Sequence, residues 1–449
     1  MKSNINGIFF SDNRIGLLLL LMGAFLRIFY ALTLEIAIPI RGDAVAYLQY
    51  ASNLLDYGVF SKDGAVPPVP DSYWAPGYPV FLALCYSLAS FFTLDFYYFV
   101  LIVQGMMGGM TSWLTYSAGR NFLSKRYAFS AAILVVFSPH LVSLSGYFLL
   151  EALLTTLLLS GIYYFLKAWR QGSSASWGIS GVFFGLAYLT NPVILFVPVL
   201  LFALYFYFHR NIKINDVQWR RSFIILLVFG IFVIFWAARD AISVPDGKSS
   251  MGGRAFVNLV IGSHENYHDI WRANPRDPEN PADIDVNAYK NNQIEFIAVL
   301  IKRIAADPID YIAWYAFGKP AELWGWDILV GYGDIYVFPV EATLYHKSMV
   351  ALVSLVIMKN THNLLLGLVF IGFFFSVREK DKIHQYFIWS IYVCLISISV
   401  IYILLHTDGR YSIPLRPEMY LCAMYGLQKL LCWVQEKHAS EKQFVKLTD

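Results

Sequence analysis

The sequence predicts an all-α polytopic membrane protein, a bundle of about ten transmembrane helices, and three observations carry that prediction. First, only 14% of the 449 residues are charged while 57% are hydrophobic, with a mean hydropathy of +0.53. Soluble domains carry about 25% charged residues; a chain so poor in charge would leave large apolar patches in water. Second, apolar runs of about 20 residues, the length that crosses a bilayer, recur along the chain. Third, lysine and arginine collect in alternate loops. A cytosolic enzyme, a disordered chain and a nucleic-acid binder are excluded. The four cysteines, Cys85, Cys394, Cys422 and Cys432, sit in apolar runs without disulfide or zinc spacing.

The first run, Ile15 to Leu34, is too long for a signal-peptide core and reads as a signal anchor. Arg27 lies inside it, at a cost of about 2.5 kcal/mol or more, and therefore requires a partner in the bundle. Tyr78 to Leu94 is short and follows Pro76-Gly77; it reads as a juxtamembrane helix. Spans follow at Phe96 to Ala118, Tyr127 to Leu144 and Leu149 to Leu166. Trp177 to Phe208 is too long for one helix, and Asn191-Pro192 divides it into two. Ser222 to Ala238, His362 to Ser376, Ile383 to Leu405 and Ile413 to Trp433 complete the set.

Parity settles the juxtamembrane segment. If it does not span, Arg120, Lys125 and Arg126 share the cytoplasmic side with Lys167 and Arg170, with Arg210, Lys213, Arg220 and Arg221, and with Arg378, Lys380 and Lys382. The tail with Lys437, Lys442 and Lys446 joins them. The opposite loops near His140 to Tyr147 and Thr190 to Asn191 carry no lysine or arginine, and Arg410 is the exception. Both termini are then cytoplasmic. The chain divides into an N-terminal membrane module (1–238, first outer loop 35–95), an outer loop subdomain (239–347) and C-terminal helices with a tail (348–449). It shows no repeat, no low-complexity tract and no matched pair of broken helices of the kind that marks inverted-repeat transporters.

Several residues could carry chemistry. Asp43 stands just outside the first span and reads either as a general base or as the N-cap of the amphipathic run to Leu55. Glu151 is the only acidic residue between Asp95 and Asp216 and lies at the edge of a span, where an ionisable group is costly and commonly functional. Arg239, Arg254, Arg410 and Arg416 lie on or near the outer side; each is a phosphate fork or a headgroup anchor. His264-Glu265-Asn266-Tyr267-His268 matches H-E-x-x-H, the zinc metalloprotease pattern. That chemistry needs both histidines one turn apart on one helix, making His264 and His268 weak metal candidates.

An ordered set of motifs resembles the GT-C glycosyltransferases that use polyprenyl-phosphate sugars, including protein O-mannosyltransferase-like (family 39-like) and aminoarabinose-transferase-like enzymes. The set comprises Gly42-Asp43 with Tyr47, Ala51, Leu55 and Gly58; Ala75-Pro76-Gly77-Tyr78-Pro79; and Ser138-Pro139 followed by Glu151. It continues with Gly185-Leu186-Ala187 and Thr190-Asn191-Pro192; Trp236 with Arg239, then Gly252-Gly253 and Gly262; and Arg410-Tyr411 with Pro414 and Pro417. Departures are Ala44, where the family often has glutamate, Asp240 for asparagine, and Ser263-His264 after Gly262. The resemblance implies a GT-C bundle with periplasmic juxtamembrane helices, and an inverting hexosyl or pentosyl transfer on the periplasmic face of a bacterial inner membrane. Asp43 would deprotonate the acceptor, and Glu151 would orient it or hold a divalent metal. Arg239, Arg254, His264, Arg410 and Tyr411 would bind the donor phosphate. The implied partners are a polyprenyl-phosphate-linked sugar, a glycan, lipid or protein acceptor, and the bilayer, with no nucleic acid. The competing readings are a lipid-linked sugar flippase or transporter and, behind it, a membrane zinc protease.

Overall fold

The computed structural model describes residues 3–209, 216–245, 250–274 and 277–448. Arg210, Lys213 and Pro275 lie outside the described residues, as do the side chains of Lys442 and Lys446. The described residues form helices and no strand; one antiparallel bridge joins Glu35 to Ala342.

Helix α1 (Ser3–Thr33) packs along α4 (Phe96–Gly119). Between them come two helices of the first loop, α2 (Asp43–Tyr57) and α3 (Gly77–Phe91). The axes of α3 and α4 differ by 119°, so α3 does not continue the span, in agreement with its juxtamembrane reading. Asp95 caps α4, accepting from the Tyr98 N–H at 3.0 Å. Close approach of α1 and α4 requires glycine at Gly109, where a Cβ would lie 2.4 Å from the Leu20 carbonyl.

The predicted span from Tyr127 is interrupted. Helix α5 (Lys125–Phe137) stops at Ser138, and Pro139 opens the short α6 (Pro139–Leu144). The break frees the last carbonyls of α5, and Arg27 fills the need: its guanidinium donates to Val135 O at 2.8 Å and to Gly23 O at 3.1 Å. The required bundle partner of Arg27 is thus backbone, not a carboxylate.

Helix α7 (Glu151–Gln171) packs on α8 (Ser174–Thr190). Asn191-Pro192 breaks the chain as expected: Asn191 accepts from the Val193 N–H, a 3-10 turn covers Pro192–Phe196, and α9 (Val197–His209) follows. Helix α10 (Asp216–Ser243) carries the chain through Arg239, a few residues past the expected boundary. The segment read as the outer subdomain then runs through α11 (Met251–Gly262), α12 (Tyr267–Ala273), α13 (Pro281–Tyr289) and α14 (Gln293–Ala306). A further run joins α15 (Pro308–Ala313), a π-helical turn at Trp314–Gly318 and α16 (Lys319–Trp324), before the short α17 (Leu344–Lys347). Helices α18 (Met349–Val377) and α19 (Lys382–Leu404), the four-residue α20 (Gly409–Ser412) and α21 (Arg416–Thr448) end the fold.

Each predicted span is occupied by a helix: α1, α4, α5, α7, α8, α9, α10, α18, α19 and α21. Among the described residues, five helices (α1, α7, α10, α18 and α19) are long and apolar enough to cross a membrane, or six crossings if the bent α3–α4 pair counts as one. The chain is a multi-pass membrane protein.

Candidate active site

A cavity of about 790 Å³ opens where the first loop, the start of α7, the Asn191–Phe196 turn, α11 and the segment before α21 meet. Local backbone chemistry sets each side chain. Gly42 precedes α2 with φ of 54°, in the left-handed half of the map that favours glycine. The helix therefore begins at Asp43 without a side-chain cap. The N-cap reading of Asp43 is corrected: its carboxylate does not fold back onto its own helix but accepts from Arg410 Nη1 at 3.1 Å through Oδ2. Glu151 is the first residue of α7, where the helix N-terminus favours negative charge. Its Oε1 accepts from Arg410 Nε at 2.5 Å, while Oε2 is buried without a hydrogen-bond partner among the described residues.

Arg410 thus bridges the two carboxylates that the sequence singled out. Its own placement comes from Asp408, buried to 1% exposure, which caps α20 by accepting from the Arg410 N–H at 2.7 Å and also holds the Val330 N–H at 2.6 Å. Burial alone would weaken the hold of the guanidinium on its proton; the Glu151 and Asp43 charges more than reverse this, and the group stays firmly cationic.

Arg254, on α11, lines the same cavity under different conditions. Its guanidinium carbon lies 3.4 Å from the centre of the Trp74 ring, and among the described residues its head group has no hydrogen bond or ion pair. A stacked guanidinium keeps its edge donors available. Tyr411 lines the cavity beside it, and so does Tyr47, whose buried hydroxyl has no partner.

Arg239 is placed elsewhere. Its fork donates to Asp71 O and Phe60 O, both at 2.9 Å, and to Asp240 at 3.0 Å, tying the first loop to the end of α10. Arg416, read from sequence as another arginine of the outer side, is buried and donates to Gly325 O at 3.1 Å.

The H-E-x-x-H residues do not form a zinc site. His264 lies in the turn between α11 and α12, and only His268 is helical. The His264 Nε2 meets Asp285 at 2.8 Å; Asp285 is also held by Arg303, at 2.6 Å and 3.1 Å. Burial would raise the Asp285 carboxyl, but Arg303 and His264 outweigh it and hold it below the usual range. The His268 Nε2 faces the His406 Nε2 at 3.1 Å. Burial pulls these rings down to about 4 and about 3, so both are neutral. Glu265 is exposed. His264, expected at the donor phosphate, is not among the residues that line the cavity.

A divalent metal between Asp43 and Glu151 fits poorly. Arg410 already occupies the space between the two carboxylates that a cation would take. Among the described residues, no group of three or more His, Cys, Asp or Glu side chains has the geometry to hold an ion.

Sequence reasoning missed Asp408, Trp74 and His406. A signal existed for the first, since Asp-Gly-Arg ahead of Pro414 has the form of a helix cap. Trp74 directly precedes the Ala75-Pro76-Gly77 motif, yet nothing in the sequence pairs it with Arg254.

The family model described as dolichyl-phosphate-mannose-protein mannosyltransferase matches residues 74–236. No curated protein matches the chain in sequence. The chain is similar in fold to the oligosaccharyltransferase of Archaeoglobus fulgidus tethered with an acceptor peptide, with a TM-score of 0.55, 13% identity, and 97% of this chain and 51% of that one covered. The same archaeal enzyme in complex with an inhibitory peptide and a dolichol-phosphate gives a TM-score of 0.52 at 13% identity, covering 96% of this chain and 52% of that one. ArnT from Cupriavidus metallidurans bound to undecaprenyl phosphate gives 0.49 at 12% identity, covering 92% and 60%. The chain spans about half the length of the oligosaccharyltransferases it matches. The bundle has the GT-C-type fold that its ordered motifs imply.

Proposed function

We propose that this GT-C-type chain is an inverting glycosyltransferase that moves a hexosyl or pentosyl group from a polyprenyl-phosphate donor to a hydroxyl acceptor. One observation carries the reading. Asp43 and Glu151 converge on Arg410 at a cavity that Arg254 also lines, stacked on Trp74 and, among the described residues, without an ion pair. The cavity therefore offers a carboxylate to an incoming hydroxyl and a free guanidinium to a leaving phosphate.

In this reading Asp43 takes the acceptor proton as the acceptor oxygen attacks the anomeric carbon. The bond between that carbon and the lipid phosphate breaks, and Arg254 stabilises the charge that develops on the phosphate. Arg410 positions the two carboxylates, and the free Oε2 of Glu151 orients the acceptor. The description of the matching family and the dolichol-phosphate and acceptor peptide named with the archaeal enzyme support a lipid donor and a separate acceptor. We place the cavity on the periplasmic face of a bacterial inner membrane, because the short loops opposite it carry clusters of lysine and arginine, whereas those on its own side near His140 to Tyr147 and Thr190 to Asn191 carry none.

The test feeds reconstituted chain with a panel of radiolabelled polyprenyl-phosphate sugars and follows label leaving the lipid. The wild type transfers at least one sugar and Asp43→Asn does not. Equal transfer by both, at equal folded amounts, overturns the assignment of the base.

A further inference from the structure

Helix α14 and the helical run that follows it are apolar on the face they expose. In α14, Phe296 and Leu300 pack inward against Phe256 and Val260 of α11. A surface helix with one face so buried normally presents charge on the other. Here the opposite face is Ile294, Ile297, Ala298, Ile301, Ile304 and Ala305, all exposed, with Ile294 at 80% and Ile301 at 61%. The next run repeats the pattern. Ile309, Ile312, Ala313, Ala316 and Phe317 follow helical spacing and are all exposed, with Ile309 at 77% and Phe317 at 74%. Two successive helices leaving isoleucine ladders in water would form an apolar patch of the kind that marks an interaction surface.

The run ends beside a membrane span. Trp314 Nε1 donates to Gly262 O at 3.4 Å, and a Cβ on Gly262 would collide with the Leu405 carbonyl at 1.6 Å. Lys319 then donates to that same Leu405 carbonyl at 2.8 Å. Leu405 is the C-cap of α19, and α19 exposes its own stripe at Ile396, Val400 and Leu404. In a bilayer that stripe faces lipid, so the exposed ladder of the outer subdomain joins a lipid-facing surface at the end of the span. Its composition also suits acyl chains. The ladder is aliphatic apart from Phe317, whereas protein interfaces are centred on tyrosine, tryptophan and arginine. Glu295 and Lys302 stand along its polar edge, where a lysine can reach headgroups.

We infer that the exposed faces of α14 and of residues 308–318 are seated in the surface of the bilayer leaflet on the cavity side, as an interfacial amphipathic element. The element anchors the outer subdomain at a fixed height. Because α14 packs on α11, it also sets the height of Arg254; that clause alone rests on the proposed transfer reaction.

The experiment uses the full chain with Cys432→Ser in nanodiscs of phosphatidylethanolamine and phosphatidylglycerol. Cys85, Cys394 and Cys422 are buried, and Cys432 is exposed, so the parent serves as the unlabelled blank. Single cysteines replace Ile297, Ile301 and Ile312, with Lys302→Cys as the water reference, and each carries a nitroxide. All four side chains are exposed, so the substitutions remove no core packing. Collision rates with oxygen and with a neutral nickel chelate are then measured. The seated element gives oxygen collisions several-fold in excess of nickel at the three isoleucine positions, with the order reversed at Lys302. Isoleucine-position labels that behave like the one at Lys302 place the face in water and overturn the inference. Labels shielded from both reagents place a protein on the face and overturn it equally.

Discussion

The cavity wall and the knot at the end of α10 both present an arginine next to aspartate, and the two regions handle charge in opposite ways. At the knot, the Arg239 fork is satisfied by two backbone carbonyls and by Asp240. At the cavity, charge is left over: Glu151 Oε2 is buried without a partner, and Arg254 has only an aromatic face beneath it. Folding gains nothing from leaving such groups unsatisfied, because a buried polar atom without a partner costs about 1–3 kcal/mol. The difference teaches that an arginine is read by what its donors meet, and that residual valence in a cavity is the mark of a site for something else.

The strongest way to break the comparison is Asp43→Asn. The substitution keeps size and one accepting oxygen for Arg410. Asp43 makes no capping bond, so helix α2 loses nothing. Loss of a general base is worth about 10²- to 10⁴-fold in rate. The expected result is a folded, membrane-inserted chain with transfer reduced by that factor, measured alongside protease resistance. Transfer near the wild-type rate would make Asp43 only a counterion of Arg410 and would leave Glu151 as the candidate base.

The next test separates the two arginines directly. Arg254→Ala should weaken use of the lipid donor by about ten- to hundredfold, since a charge-assisted hydrogen bond contributes roughly 1.5–3 kcal/mol. Arg254→Lys should recover part of the loss, as a point charge without the planar fork. Arg239→Ala should leave the donor KM unchanged and lower the thermal midpoint, because it releases the carbonyls of Phe60 and Asp71. The reverse pattern, a donor defect in Arg239→Ala and none in Arg254→Ala, would return the phosphate site to the knot.

Much of the bundle was legible because it depends on local rules. Run length located the helices of the spans, Asn191-Pro192 located the broken one, and Pro76-Gly77 marked the start of a separate α3, set at 119° to α4. The site was legible only as a set of candidates. Asp43, Glu151 and Arg410 lie on three distant elements, and no spacing rule joins them; the ordered motifs brought them onto one list without their contacts. The contacts of Arg239 were not legible, for a physical reason. Its partners are main-chain carbonyls of the first loop, and a sequence does not advertise which carbonyls are unsatisfied. Arg27 is the same case, since its partner on the neighbouring helix, the Val135 carbonyl, is free only because α5 breaks at Ser138-Pro139. The N-cap reading of Asp43 failed at Gly42, which takes the cap position with a positive φ, so that the helix starts at Asp43 itself, one residue earlier than it would with the aspartate as its cap.

A smaller effect concerns the outer subdomain, where neutral rings meet in a buried pair. His268 is held at about 4 by burial, below the ordinary value of 6.5. As pH falls below 6.5 the unfolded chain takes up a proton that the folded one refuses, so this contribution to stability is full above 6.5 and is lost on the way down to about 4. Glu322, pushed up to about 7 by burial, acts in the opposite direction between about 7 and 4.5. The informative quantity is therefore the difference between His268→Gln and the wild type. The variant should lose less stability on acidification, by up to about 1.4 kcal/mol per pH unit for one proton, read from denaturation midpoints at pH 7 and pH 5. Parallel curves for the two proteins would mean that His268 titrates normally and is not buried as described.

The smallest expected effect is the sharpest test of the rival chemistry. Glu265→Gln would abolish a zinc protease, in which that glutamate works on a metal-bound water. Here Glu265 is exposed in the turn before α12, His264 is engaged with Asp285, and His268 faces His406. The three side chains do not converge on a point that an ion could occupy. An exposed glutamate away from any network changes stability by no more than about 0.5 kcal/mol when neutralised. Transfer activity should be unchanged, and a chelator added during the assay should also leave the rate unaltered, because Arg410 already stands between the two cavity carboxylates. An inactive Glu265→Gln chain that carries stoichiometric zinc would overturn both statements together. Loss of activity in chelator with Glu265→Gln fully active would overturn only the second, and would mean that a metal displaces Arg410 from Asp43 and Glu151 in the working enzyme.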